Sequence, residues 1–116
     1  VRRVDREKGT VDLAGLAAEL PGRLADYQQL LFQRALDFRA ANTHYADSYD
    51  EFKAVLDKEG GFLMAPWCGA TECEKQINSE TSASIRVIPF DSPDEAGECM
   101  IDGRPSERRV LFARSY

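Results

Sequence analysis

Three cysteines and one aspartate set the strongest limit on how this chain folds. Residues 61–73 read GFLMAPWCGATEC. The short apolar run Phe62, Leu63, Met64, Ala65 is stopped by Pro66 and delivers Trp67 and Cys68 to a turn at Gly69, with Cys73 after four intervening residues. That pattern predicts a strand leading into half of a metal knuckle. Cys99, with Asp102 three residues on, is the only sequence available for the other half: Cys-x4-Cys, a gap of 25 residues, then Cys-x2-Asp. The set is close to a four-thiolate zinc site with a carboxylate in its last position.

Two readings of that set stand open. In one, Cys68, Cys73, Cys99 and Asp102 hold a structural zinc. In the other the site has lapsed and leaves three reduced, partly buried cysteines. Hard carboxylate oxygen matches a thiolate-rich zinc less well than sulfur, so the substitution lowers affinity. A catalytic zinc needs a general base near the knuckle, and no histidine or glutamate is so placed in the sequence. An odd number of cysteines argues against a disulfide framework, and clustered cysteines in a reducing compartment more often bind metal.

The chain has 116 residues, 43% hydrophobic and 30% charged, which are ordinary values for a soluble folded protein. No apolar run approaches a membrane span, and the N-terminus lacks a secretory pattern, so a cytoplasmic setting and no membrane partner are expected. Charge is uneven. Residues 1–47 carry seven Lys/Arg against seven Asp/Glu; residues 48–116 carry eight against thirteen, which accounts for the whole net charge of -5. A net acidic segment does not attract phosphate through its global field.

Taken in order, the first nine residues suggest an extended charged segment ending at Gly9, in which Arg2, Arg3 and Arg6 alternate with acids as on a solvated strand face. A lone strand at the very start, without an initiator methionine, suggests a fragment. Asp12 is placed to cap a helical stretch through Leu20, Pro21-Gly22 to interrupt it, and a longer helix to run from about Arg23 to Ala41. Leu20, Leu24, Tyr27, Leu31, Ala35 and Phe38 form its apolar stripe, expected to pack on a sheet or a second helix. Residues 42–47 read as a break, with His44 at a helix end where a cation favours the dipole. Ser48-Tyr49-Asp50-Glu51 is a capping box that starts a helix with Tyr49, Phe52, Val55 and Leu56 on its buried face and Gly60-Gly61 at its end. Thr71-Glu72-Cys73-Glu74 repeats that logic for a short helix to about Asn78. Ser84–Ile88 and Arg109–Ala113 read as strands, residues 91–98 as an exposed loop, and Cys99–Gly103 as a tight turn. Trp67 beside the knuckle is expected to pack over the metal turn. The fold class is therefore α/β of the α+β type: a small mixed sheet with helices and a cysteine knuckle, preceded by a long helix.

The run GGFLMAPWCGATECEKQINSETSASIRVIPFDS, the later ECMIDGRP and the ending RRVLFARSY resemble the C-terminal zinc-binding domain of prolyl-tRNA synthetases of the archaeal and eukaryote-like type. Residues 1–45 resemble the end of the anticodon-binding domain and the connecting helix, and residues 46–116 the zinc-binding-type domain. The resemblance implies a class II enzyme that condenses proline with ATP and transfers the prolyl group to tRNA(Pro), with the catalytic and ATP-binding residues in an upstream domain and none here. It also implies a homodimer at full length, a structural zinc whose four cysteine positions fall on Cys68, Cys73, Cys99 and Asp102, and a C-terminal Tyr116 set against the catalytic domain. The departure at Asp102 bears on metal binding and not on the family. The rival reading is an independent zinc-ribbon-like module that binds a protein or RNA partner.

Overall fold

Alternating apolar side chains along two short strands build the centre of the fold. The computed structural model describes residues 6, 8–91 and 93–114. Strand β2 (Phe62–Pro66) buries Leu63 and Ala65, and strand β6 (Arg109–Arg114) buries Val110 and Phe112. The two pair antiparallel with Leu63 opposite Phe112 and Ala65 opposite Val110, so four apolar side chains share one face. Strand β3 (Ala83–Val87) joins the other side of β6, also antiparallel, with a bulge between Ile85 and Val87. Strand β1 (Thr43–Tyr45) pairs parallel to β2, and the resulting order β1-β2-β6-β3 is a mixed sheet, as the sequence predicts.

Two helices cover that face. Helix α2 (Tyr49–Lys58) crosses between the parallel strands β1 and β2 and buries Phe52 and Leu56. Helix α3 (Thr71–Thr81) buries Cys73, Ile77 and Thr81. The Phe52 and Phe112 rings meet edge to face, centroids 5.3 Å apart at 82°, an arrangement that adds to the burial of both rings. Ser48 caps α2 as predicted, its Oγ accepting from the Glu51 amide at 3.3 Å. The return bond differs: the Glu51 carboxylate accepts from the Asp47 amide at 2.9 Å, one residue before the cap.

Several local expectations are corrected. Helix α1 (Leu16–Ala41) runs through Pro21-Gly22 without interruption. Pro21 removes one backbone donor in the second turn, and an ion pair across it, Arg23 Nη2 to Glu19 Oε2 at 3.0 Å, links the turns on either side. Asp12 opens a turn through its carbonyl, which accepts from Gly15 at 3.0 Å, and α1 begins only at Leu16. No described residue of α1 is buried, and Leu20, Leu24, Leu31 and Phe38 of its stripe are exposed. His44 lies in β1 instead of at a helix end, its Nδ1 3.7 Å from Glu59 Oε2. Thr71 is the first residue of α3, not its cap; the cap position is Ala70, which makes no side-chain bond. Helix α3 continues three residues past Asn78 because Thr81 Oγ1 donates to the Ile77 carbonyl at 2.6 Å and accepts from the Ala83 amide at 3.2 Å, carrying the chain into β3. Within residues 91–98, Gly97–Glu98 (β4) pairs with Pro105–Ser106 (β5) as a two-stranded ribbon. Arg6 has φ of 58°, so the chain is not extended there; Arg2, Arg3 and Tyr116 lie outside the described residues.

Two compact units are distinguished, Val1–Ala41 and Asn42–Tyr116. Among the described residues, all the buried hydrophobic ones, from Ala46 to Ala113, belong to the second.

Candidate metal centre

Backbone conformation at two turns brings the four singled-out side chains together. Pro66 ends β2, and the next amide, of Trp67, donates to Ser106 Oγ at 3.0 Å, which in turn donates to the Arg108 carbonyl at 2.9 Å. The indole Nε1 donates to the Ala70 carbonyl at 3.1 Å, folding the ring back over the first turn and against the core, as predicted for a tryptophan beside a knuckle. Gly69 makes the reversal with φ of 85°, a conformation that favours glycine. Cys68 stands on this turn, and Cys73, in the first turn of α3, is buried beside it.

The second turn follows β4. Cys99 donates its amide to the Arg104 carbonyl at 2.8 Å and accepts the Gly103 amide at 2.9 Å, closing the tight turn that the sequence predicts over Cys99–Gly103. The Met100 amide, 3.5 Å from the Pro66 carbonyl, ties this turn to the end of β2. Arg109 secures the ribbon from behind. Its guanidinium reaches Glu95 at 3.0 Å, the Ala46 carbonyl at 3.1 Å and the Asp47 carboxylate. These bonds fix the loop before β4 to the start of β6 and to the chain leaving β1.

The outcome is a cluster in which one ligand atom from each of Cys68, Cys73, Cys99 and Asp102 lies within 4.8 Å of all the others. Cys68 Sγ is 3.6 Å from Cys73 Sγ, and Asp102 Oδ2 is 3.1 Å from Cys73 Sγ and 3.8 Å from Cys68 Sγ. Tetrahedral zinc with bonds of about 2.3 Å to sulfur sets its thiolates about 3.8 Å apart. The donor set and its spacing fit such an ion. Charge within the cluster is unequally shared. Burial raises the Cys68 thiol, but the Ala70 amide, the neighbouring thiols and the Arg104 charge outweigh it and bring Cys68 below the ordinary thiol value. Burial, then donation to Asp102, push Cys73 up to about 12. Asp102 is held well below the usual carboxylate range, first by the Cys73 thiol and then by Arg104. Negative charge therefore settles on Asp102 while Cys73 keeps its proton. A divalent cation bound among them would displace that proton, since thiols ligate as thiolates.

Arg104 was not among the residues that the spacing pointed to. Its backbone amide donates to Asp102 Oδ1 at 3.1 Å and its Nε to Oδ2 at 2.5 Å, while Nη2 stands 3.7 Å from Cys73 Sγ. The signal in the sequence is a base two residues after the aspartate within a glycine turn, Asp102-Gly103-Arg104, a spacing common enough in turns to pass unremarked.

Comparison with known proteins places these turns in a family. The family model described as "Prolyl-tRNA synthetase, C-terminal" matches residues 49–116, which include both turns. The chain is 46% identical over 115 residues to a proline–tRNA ligase of Cytophaga hutchinsonii and 47% identical over 116 residues to one of Salinibacter ruber, covering 99% of this chain in each case. It spans 23% and 24% of those proteins, about a quarter of their length. The crystal structure of a prolyl-tRNA synthetase from Cryptosporidium parvum, complexed with L-proline and AMP, superposes with a TM-score of 0.85 at 25% identity, over 95% of this chain and 24% of that one. The paired turns on a mixed sheet are thus a shared inheritance, and the chain belongs to the prolyl-tRNA synthetase C-terminal family.

Proposed function

We propose that this chain is the non-catalytic C-terminal part of a proline–tRNA ligase of the archaeal and eukaryote-like type. The observation that carries the reading is similarity along 99% of the chain to proline–tRNA ligases. The complete protein activates proline with ATP in a catalytic domain upstream and passes the prolyl group to tRNA(Pro), as a homodimer in the cytoplasm. Residues 1–45 close the anticodon-binding domain and lead out of it, residues 46–116 buttress the enzyme, and Tyr116 meets the catalytic domain. No helix among the described residues is long and apolar enough to cross a membrane.

Cys68, Cys73 and Cys99 hold a structural zinc with Asp102 as the fourth ligand. Zinc supplies a cross-link here and no reaction: it joins the turn after β2 to the turn between β4 and β5. The side chains themselves divide the work, three thiols giving soft donors and Asp102 a carboxylate already ionised.

Two measurements test the reading. The native gene product is expected to be several times heavier than 13.0 kDa and to charge tRNA(Pro) with proline; a product of that small mass would favour an independent module with a protein or RNA partner. Purified protein is expected to carry about one zinc per chain, lost in Asp102→Ala. Zinc-free, fully folded wild-type protein would sink the metal assignment.

A further inference from the structure

We infer that Arg104 is a positioning residue for the metal: it clamps the Asp102 carboxylate in the orientation in which Oδ2 faces the thiols, and so makes an aspartate serve where a thiolate would need no such help. The inference rests on the zinc reading above. A thiolate ligand has one donor atom and a strong preference for zinc. A carboxylate has two oxygens, rotates about its Cβ–Cγ bond, and binds a thiolate-rich ion less well. For Asp102 to act as a ligand, one oxygen must be held toward the cluster at little entropic cost.

Arg104 holds both oxygens. Its backbone amide takes Oδ1 at 3.1 Å and its Nε takes Oδ2 at 2.5 Å. The oxygen on the guanidinium is the same one that lies 3.1 Å from Cys73 Sγ and 3.8 Å from Cys68 Sγ. The rotation of the carboxylate is therefore fixed from outside the cluster. The Arg104 side chain is 56% exposed against 28% for Asp102, which sets the guanidinium on the solvent side and the carboxylate between it and the sulfurs. Its Nη2 also reaches Cys73 Sγ at 3.7 Å.

Charge acts in the same direction. Three thiolates and one carboxylate carry four negative charges, and a divalent ion leaves two uncompensated. A guanidinium against two of the four ligands offsets one of them and keeps its own charge at working pH. Outer partners of this kind orient ligands and tune affinity in metal sites generally. The same guanidinium could not be replaced by lysine without loss, because a point charge on a flexible stem does not fix the carboxylate plane.

The test is the zinc dissociation constant of the 116-residue protein, measured by competition with a chromophoric chelator for wild type, Arg104→Gln, Arg104→Lys, Asp102→Cys and the double variant Asp102→Cys/Arg104→Gln. Arg104→Gln is expected to weaken zinc binding about ten-fold or more, and Arg104→Lys to recover part of that loss through its charge. In the Asp102→Cys background, where there is no carboxylate to orient, the same Arg104→Gln change is expected to cost about two-fold or less, and that non-additivity marks a coupled pair. Thermal unfolding of each zinc-free variant checks that it is folded. Equal affinities for wild type and Arg104→Gln overturn the inference while leaving the metal site standing. Tighter binding by Arg104→Gln also overturns it, and means that the guanidinium competes with zinc for Oδ2. If wild type binds no zinc, both this inference and the metal assignment fall; zinc bound only by Asp102→Cys would show that failure to lie in the aspartate.

Discussion

Gly61 is the residue whose side chain the fold cannot accept. It has φ of 75°, and a Cβ there would stand 2.5 Å from the Asn42 carbonyl oxygen, the same oxygen that accepts the Phe62 amide at 2.8 Å. That hydrogen bond starts the pairing of β1 with β2, so the clash cannot be relieved without moving the strand. Gly61→Ala is expected to destabilise the protein by about 2–3 kcal/mol, from the left-handed conformation and the displaced strand together. Gly60, at φ of 68° but with open space around it, meets only the first penalty, and Gly60→Ala is expected to cost about 1 kcal/mol. Urea unfolding of the two variants checks the order; equal losses would mean that the Asn42 carbonyl gives way. Both glycines are legible in the sequence as the end of α2, but the difference between them is not, because it depends on Asn42, which reaches Gly61 only through the sheet.

At the scale of elements, local signals transmitted well and long-range ones did not. Helix α2 was readable because Ser48 and Glu51 carry its start within four residues. Strands β2 and β6 were readable from their apolar runs. Strand β1 was not: three residues, Thr43–Tyr45, acquire strand conformation only by pairing with residues 62–64, and nothing local in Thr-His-Tyr demands it. The two-residue strands β4 and β5 escaped for the same reason. The four members of the cysteine cluster were legible by spacing, whereas the clamp on Asp102 was not, since ligand spacing says nothing of what orients a ligand. A link between α2 and α3 was equally hidden. The Tyr49 hydroxyl donates to Glu80 Oε2 at 2.9 Å; burial and then this bond raise Tyr49 to about 12, and Glu80 is lowered by Gln76 and by Tyr49. The tyrosine is neutral in the fold to higher pH than in the unfolded chain, so its contribution is complete below about 10 and is lost as the pH rises through about 12. Glu80 works in the opposite range, its contribution present above the ordinary carboxylate value and lost as pH falls through its lowered one. Tyr49→Phe is expected to cost about 1 kcal/mol at neutral pH. Its deficit should shrink between pH 10 and 12, as wild type loses the bond that the variant never had. A constant deficit across that range would mean that the hydroxyl bond contributes nothing and that only ring packing differs.

For the molecule as a whole, the distribution of buried residues argues that the proposed metal cross-link would matter to stability. Among the described residues, the core from Ala46 to Ala113 lies within the unit Asn42–Tyr116, a size at which burial alone leaves a narrow margin. The two turns of the candidate site sit at the edge of that core, and Cys73 and Cys99 are its buried representatives there. Among the described residues, the end of β2 is tied to this ribbon by the Trp67 amide on the Ser106 hydroxyl and by the Met100 amide on the Pro66 carbonyl at a long 3.5 Å. Zinc at about 100 times its Kd would add about 2.7 kcal/mol to the folded state. With about 4–8 °C per kcal/mol for a domain of this size, removing it with a chelator is expected to lower the melting temperature by about 10 °C or more, and restoring zinc to reverse the change. Asp102→Ala should melt near the chelated wild type and respond little to added zinc. An unchanged melting temperature on complete removal of bound zinc would assign the stability of both turns to the Arg109 network and the backbone bonds, leaving zinc a passenger in a site that the protein already holds closed.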